Sequence, residues 1–281
     1  VEIAANSNQL PELLNTVGQI ADKKQQEDFL QTLFKDWGQI DNAGSIEAAN
    51  KLGDEGMVVA ATKGLMRGWA SNDGKSALEY AIQNSSDPLF KEIAVSVATD
   101  WARYANSTEI ADLIRTIENA ENRAQILDGV IHPLSRADPS RALELIEKLE
   151  DVQAKGKNTA MVLWNMGKTD HAAAEAYFRS VPDDQVRIQS TYAITNSAIA
   201  AGKSAEETLS ILDAFSDEKA QLSALSTMAY AATQSQNLTK TVDLRDQLYE
   251  RLEAAVEFDP DAKQQLLDKL RPIKDPPEIP E

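Results

Sequence analysis

The sequence has 281 residues, no cysteine and only two histidines, His132 and His171. Without cysteine there is no disulfide, no thiolate metal site and no thiol nucleophile. Two histidines are too few for a histidine-built metal cage. Aromatic residues make up only 6%. No apolar run approaches the roughly 18–20 residues that a membrane-spanning helix needs. Positive charge is also short: 28 Lys and Arg face 45 Asp and Glu, a formal net charge of −17. A surface of that sign repels phosphate backbones and argues against nucleic acid as a partner. Signature motifs of catalysis are missing as well. There is no Gly-x-Ser-x-Gly, no Gly-x-Gly-x-x-Gly and no His-Glu-x-x-His. Ala201-Gly202-Lys203-Ser204 and Gly74-Lys75-Ser76 end like a phosphate loop but lack its earlier glycine, and both read as turns between helices. No cofactor is expected.

What is present is enough to fold. Hydrophobic residues are 42% and charged residues 26%, the balance of a chain with a buried core. The missing cysteines fit a periplasmic or otherwise exported bacterial protein, with the cytoplasm as the alternative. The opening Val1-Glu2-Ile3 reads as a processed or trimmed chain. Four of the ten prolines fall in residues 272–281, which predicts an extended tail beyond a single helical domain spanning 1–271.

The dominant signal is an internal repeat. Trp37, Trp69 and Trp101 are spaced by 32, and the series continues through Leu134, Met166, Ile199 and Tyr230 at intervals of 31 to 33. Each landmark is followed by a small residue: Gly38, Ala70, Ala102, Ser135, Gly167, Ala200 and Ala231. Four positions after the landmark stand Asp41, Asp73, Asp138 and Asp170, with Ala105 before Asn106 in the third unit. Aspartate is a strong helix N-cap, because its carboxylate accepts the orphan N–H groups of a new helix. Asn106 with Glu109 and Ser204 with Glu207 read as capping boxes. Pro139 sits where a first-turn proline costs nothing. Polar breaks at Asp87-Pro88, Pro182-Asp183-Asp184 and Ser216-Asp217 separate one unit from the next. No stretch shows the period-two alternation of a strand. The expected fold is therefore all-α, an αα-superhelical solenoid of about seven helix pairs with capping helices. An opening helix runs near Leu13, Leu14 and Val17. Leu244, Leu248, Leu252 and Val256 mark a longer helix near the end.

Antiparallel helix pairs at this period, over about residues 23 to 257, resemble the tetratricopeptide-like αα-solenoids. The recurring text is Trp-Ala-x-x-Asp-x-x-x-Ala-Leu, clearest at Trp69-Ala70, Asp73 and Ala77-Leu78. It is similar to a degenerate repeat of bacterial helical-repeat proteins. The resemblance implies a non-catalytic scaffold that binds another protein or peptide. It also implies that the first helix of each pair lines the binding face, which makes Arg67, Arg103, Asn165, Gln189 and Asn196 the candidate partner-binding residues. The net charge of −17 points to a partner with a basic patch and to salt-sensitive association.

Each chemical feature has a plainer reading beside it. The Trp landmark interchanges with Leu134, Met166 and Ile199, which suits a core position and not a ligand-stacking ladder. The Asp series fits capping, since a calcium loop needs several oxygens in one short segment. Asp170, His171 and Glu175 form an incomplete metal set. His132 before Pro133 reads as a structural histidine at a kinked turn. Two other classes stand as alternatives. One is an (α/α)-toroid-like carbohydrate-active enzyme, which would need long site-building loops where the connections here look short. The other is a structural subunit of an envelope assembly, which would expose an apolar patch.

Overall fold

In a computed structural model of the chain, residues 10–235, 238–255 and 258–270 are described. The Pro-rich segment 272–281 and Val256 lie outside these residues. Every regular element among them is helical, and none is a strand. A short opening helix, α1 (Leu10–Thr16), leads through a 3₁₀ turn, Val17–Gln19, to α2 (Lys23–Ile40), α3 (Asn42–Asn50), α4 (Glu55–Gln83), α5 (Pro88–Trp101) and α6 (Ser107–Arg115). Then come α7 (Ala120–Ala137), α8 (Pro139–Glu147), α9 (Val152–Gly167), α10 (His171–Ser180) and α11 (Asp184–Ala200). After α12 (Ala205–Leu209) and a second 3₁₀ turn, Ser210–Ala214, the chain ends in α13 (Glu218–Gln234), α14 (Leu238–Ala254) and α15 (Pro260–Leu270). No described helix is long and apolar enough to cross a membrane. The described residues fall into two units, one ending at Pro133 and one beginning at Leu134, with the division inside α7.

At four joints the chain turns from one helix into the next on a single residue. Asp41, Asp73, Asp138 and Asp170 share one backbone conformation, with φ between −151° and −142° and ψ between 79° and 88°. The Asp73 hinge interrupts α4, so that helix is two arms of one pair. Each carboxylate accepts the amide three residues on: Gly44 at 2.9 Å, Ser76 at 3.0 Å, Arg141 at 3.1 Å and Ala173 at 2.9 Å. At Asp41, Asp138 and Asp170 the residue's own N–H donates to the landmark carbonyl of Trp37, Leu134 and Met166, each at 2.8 Å. One aspartate thus closes the first helix and opens the second. Asn106 and Ser204 form the two capping boxes. In the second, the Ser204 backbone N–H and the Lys203 ammonium pull the Glu207 carboxyl down to about 2.

The other helix starts are capped at the same period. Asp22, Asp54, Asp87, Asn119, Asp151, Asp183 and Asp217 accept from the first-turn amides of α2, α4, α5, α7, α9, α11 and α13 at 2.8–3.1 Å. Four residues after some of these caps, a side chain reaches back to a carbonyl six residues earlier: Gln26 to Ile20 at 2.6 Å and Arg123 to Ile117 at 2.7 Å. Arg187 does the same to Val181, pairs with Asp184 and lies over the Phe215 ring.

In the first unit, α2 and α4 approach at glycine. A Cβ on Gly64 or Gly68 would overlap the carbonyls of Gln31 and Lys35, and one on Gly38 would overlap the Leu65 backbone. Around that seam Leu30, Leu33, Phe34, Leu65 and Met66 are fully buried. Trp37 is buried against Phe34, with ring centroids 5.5 Å apart. Trp69 is half-buried against Tyr80, also at 5.5 Å, and Trp101 lies over Gly74. In the second unit Leu163, Phe178, Ile194, Met228, Leu248 and Leu252 belong to one core. Between α9 and α11 the burial turns polar, with Asn158, Thr159, Ser190, Thr191 and Thr195 all enclosed. Ser190 and Thr191 satisfy their hydroxyls on the carbonyls four residues back.

The landmark series departs from a core role at its far end. Tyr230 is 46% exposed, and Ala200, the small neighbour of Ile199, is also exposed. His132 lies on the exposed side of α7, one residue before the in-helix Pro133.

The hinge and the glycine seam give separable stability effects. Asp41→Ala or Asp138→Ala is expected to lower unfolding stability by about 1 kcal/mol. Gly68→Ala is expected to cost about 1–3 kcal/mol through forced separation of α2 and α4. Urea unfolding of the three variants checks both, and an unchanged midpoint for Gly68→Ala would refute the close approach.

Candidate functional site

The first helices of the first unit carry a continuous groove. Three adjoining hollows of about 640, 270 and 570 Å³ run along α2, α4 and α5. Gln31 and Lys63 line both the first and second; Arg67, Ala70 and Asp100 line both the second and third. The groove is bridged by cross-helix ion pairs, Lys23 with Asp54 at 3.4 Å and Lys63 with Glu92 at 2.9 Å. Such exposed pairs are screened by solvent and contribute little to stability, so they shape the walls more than they hold the fold.

The third hollow draws together Lys35, Arg67, Lys75 and Arg103. Its carboxylates are occupied: Asp73 caps the second arm of α4, Glu109 closes a capping box, and Asp100 stands 3.8 Å from Arg103. Tyr104, 88% exposed, projects at its edge. In a chain of net charge −17 this is a local excess of cations beside an aromatic ring.

A different surface occupies the first helices of the second unit. Trp164 of α9, Tyr192 of α11 and Tyr230 of α13 form a ladder with ring centroids 6.4 and 5.9 Å apart. Trp164 and Tyr192 are nearly parallel at 11°, and Trp164 is 40% exposed. The Lys168 ammonium stands 5.3 Å above the Trp164 ring. Acidic residues are nearly absent from these helices: α9 has none, α11 has Asp184 and α13 has Glu218, both in the first turn.

The five sequence candidates divide between the two surfaces. Arg67 and Arg103 are exposed and share the third hollow. Asn165, Gln189 and Asn196 are half-buried on α9 and α11, and each spends an amide hydrogen within the unit. Asn165 donates to Ser135 at 2.8 Å, Gln189 to Gln153 at 2.7 Å and Asn196 to the Tyr192 carbonyl at 2.8 Å. They flank the aromatic ladder and are not its exposed contacts. Sequence reading missed Trp164, the one tryptophan outside the 32-residue register, the exposed Tyr104 in the turn after α5, and Tyr192 on α11. The signal for the ladder was available: an aromatic in each of three first helices that are nearly free of acid.

His171 and Glu175 sit one turn apart, as their spacing requires, but the third partner is a hydroxyl and not a metal ligand. His171 is buried, with Nδ1 2.8 Å from the Ser197 Oγ and Nε2 3.4 Å from the Glu175 carboxylate. Ser197 Oγ also lies 3.2 Å from the Gly167 carbonyl. The group ties α9, α10 and α11 together and lines none of the three hollows. No group of three or more His, Asp or Glu among the described residues could hold a metal ion. Comparison with known protein families, curated proteins and solved structures finds no match.

Burial lowers the His171 pKa from its ordinary 6.5, outweighing the opposing pull of Glu175. The folded state therefore favours the neutral ring. Its contribution to stability is complete above about 6.5 and is lost as pH falls through the depressed folded value. Unfolding titrations between pH 7.5 and 5 should show stability falling with acidification, with a shallower slope in His171→Gln. An identical slope in both proteins would remove His171 as the cause.

Proposed function

We propose that this protein is a non-catalytic scaffold of tetratricopeptide-like helix pairs, which binds another protein or peptide along the first helices of those pairs. The observation that carries this reading is the convergence of Arg67 and Arg103, 36 residues apart in sequence, on one open groove lined by α2, α4 and α5. An elongated groove of mixed charge suits a polypeptide, whose own charges and amides alternate over the same length scale. Binding of this kind rests on a few anchors within many near-neutral contacts. Arg67, Arg103 and the protruding Tyr104 have the residue types that anchor interfaces, because arginine and tyrosine combine large contact area with directional hydrogen bonding. The negative field of the rest of the chain draws a basic partner from a distance, while the arginines take up its carboxylates on contact.

The double substitution Arg67→Glu and Arg103→Glu tests the reading. Both side chains are exposed, so the unfolding free energy is expected to stay within about 0.5 kcal/mol of the unmodified protein. Partner retained from an extract of the source cells, measured by quantitative mass spectrometry, is expected to fall at least tenfold. Retention unchanged by the substitutions, or turnover of a polysaccharide by the purified protein, would overturn the proposal.

A further inference from the structure

The ladder on the second unit has no role in the groove just described, and its composition is unusual for this chain. Trp164 and Tyr230 are the largest exposed side chains on their helices, and large aromatic rings left in water at successive positions mark recognition surfaces. The polar residues around them on α9 and α11 are amides, Asn165, Gln189 and Asn196. Apart from Glu218 in the first turn of α13, the exposed charged residues here are lysines: Lys157 and Lys219 are exposed, and Lys168 covers Trp164. By contrast, the neighbouring α14 interleaves Asp243, Asp246, Glu250 and Glu253 with Lys240, Arg245 and Arg251. Acid runs along the length of α14, whereas on α9, α11 and α13 it is absent or confined to the first turn.

We infer that the α9–α11–α13 face is a docking strip for an extended, acidic polypeptide segment. The inference rests on the scaffold reading but not on the groove of the first unit. Two observations select this occupant. The first is spacing. Alternate residues of an extended or polyproline-type chain are about 6.2–6.8 Å apart; the Trp164–Tyr192 separation of 6.4 Å falls in that range and the Tyr192–Tyr230 separation of 5.9 Å lies just below it. Alternate apolar side chains or proline rings of the partner lie over Trp164, Tyr192 and Tyr230 in turn. The second is charge. Carboxylates on the intervening residues meet Lys168 beside Trp164. The acids of the three ring-bearing helices are confined to the first turns of α11 and α13, away from Tyr192 and Tyr230, so a basic segment would meet a cation and gain no attraction there.

A random dodecapeptide array probed with the full chain, alongside a glycan array, decides the matter. Peptides that bind are expected to alternate Asp or Glu with proline, aromatic or aliphatic residues. Their affinity, read by fluorescence titration of individual peptides, should fall at least tenfold in Trp164→Ala and in Tyr230→Ala. A third variant, Lys168→Glu, should weaken the acidic peptides to a similar degree while leaving the rings in place. Added salt should weaken binding to the unmodified protein but have little effect on Lys168→Glu. Binders enriched in Lys and Arg, or binding only to glycans, would overturn the inference. Acidic binders indifferent to all three substitutions would overturn it and leave the scaffold reading standing. Binders that respond only to Arg67→Glu and Arg103→Glu would do the same. An array with no peptide binders would sink both readings.

Discussion

The structure depends on a chain reversal completed within one residue. At Asp41, Asp138 and Asp170 the backbone N–H closes the preceding helix on the landmark carbonyl, and the carboxylate opens the next helix on its third amide. Only a short acceptor side chain can serve there, since it must bend back onto the first turn of its own helix. The near-identical torsions at all four aspartates show how little freedom the joint has. The third and sixth units pass instead through short turns to the capping boxes at Asn106 and Ser204, and the period survives there too. Each cap is worth about 1 kcal/mol. Their number makes them comparable in importance to any single core contact, given a net stability of about 5–15 kcal/mol for a typical domain.

A rigid joint fixes where a pair points, and close approach fixes how tightly successive first helices lie together. In the first unit Gly64 and Gly68 let α4 reach the backbone of α2; in the second, Gly156 and Gly167 leave room for Gln189 and Ser197 of α11. Helices drawn this near bring their outward side chains into contact. Trp164 and Tyr192 touch for that reason, although they lie on different helices. The ladder is thus a consequence of small residues beneath it. The buried polar seam of Asn158, Thr159 and Thr195 occupies the same interface, where short side chains fit and long apolar ones would hold the helices apart.

Sequence pattern revealed most of this architecture because its strongest elements are local. The Asp hinge, the capping boxes at Asn106 and Ser204 and the bulky–small landmark pairs each lie within a few residues and repeat. The second series of caps was only partly legible. Asp87, Asp183 and Asp217 stood out beside proline or serine, whereas Asp22, Asp54 and Asp151 were indistinguishable from other acids in a chain with 45 of them. Gly64-x-x-x-Gly68 went unseen because its partner atoms, the carbonyls of Gln31 and Lys35, belong to a different helix. Tyr230 misled in the opposite direction. It keeps the landmark's register yet faces outward, since a spacing of about 32 residues preserves helix order but not the angle around the helix axis. Arg67 on α4 and Arg103 in the turn after α5 converged because both line one hollow. Those on α9 and α11 did not, because amides hydrogen-bond readily to their own neighbours.

A net charge of −17 describes the distant field of this protein and not the surface a partner touches. Many of its acids serve as helix caps, so they gather at the ends of the first helices. Tyr192 lies nine residues from the Asp183 cap, about 14 Å along the helix axis. That exceeds the screening length of about 8 Å at physiological ionic strength. The field of that cap is therefore largely screened at Tyr192. Beyond these caps and the first turns, α9, α11 and α13 are free of acid, unlike the equally capped α2 and α5, which carry Glu27, Asp28, Asp36, Glu92 and Asp100. Long-range attraction and contact specificity can then take opposite signs on one molecule, because the sign at contact is set by the few side chains that line it.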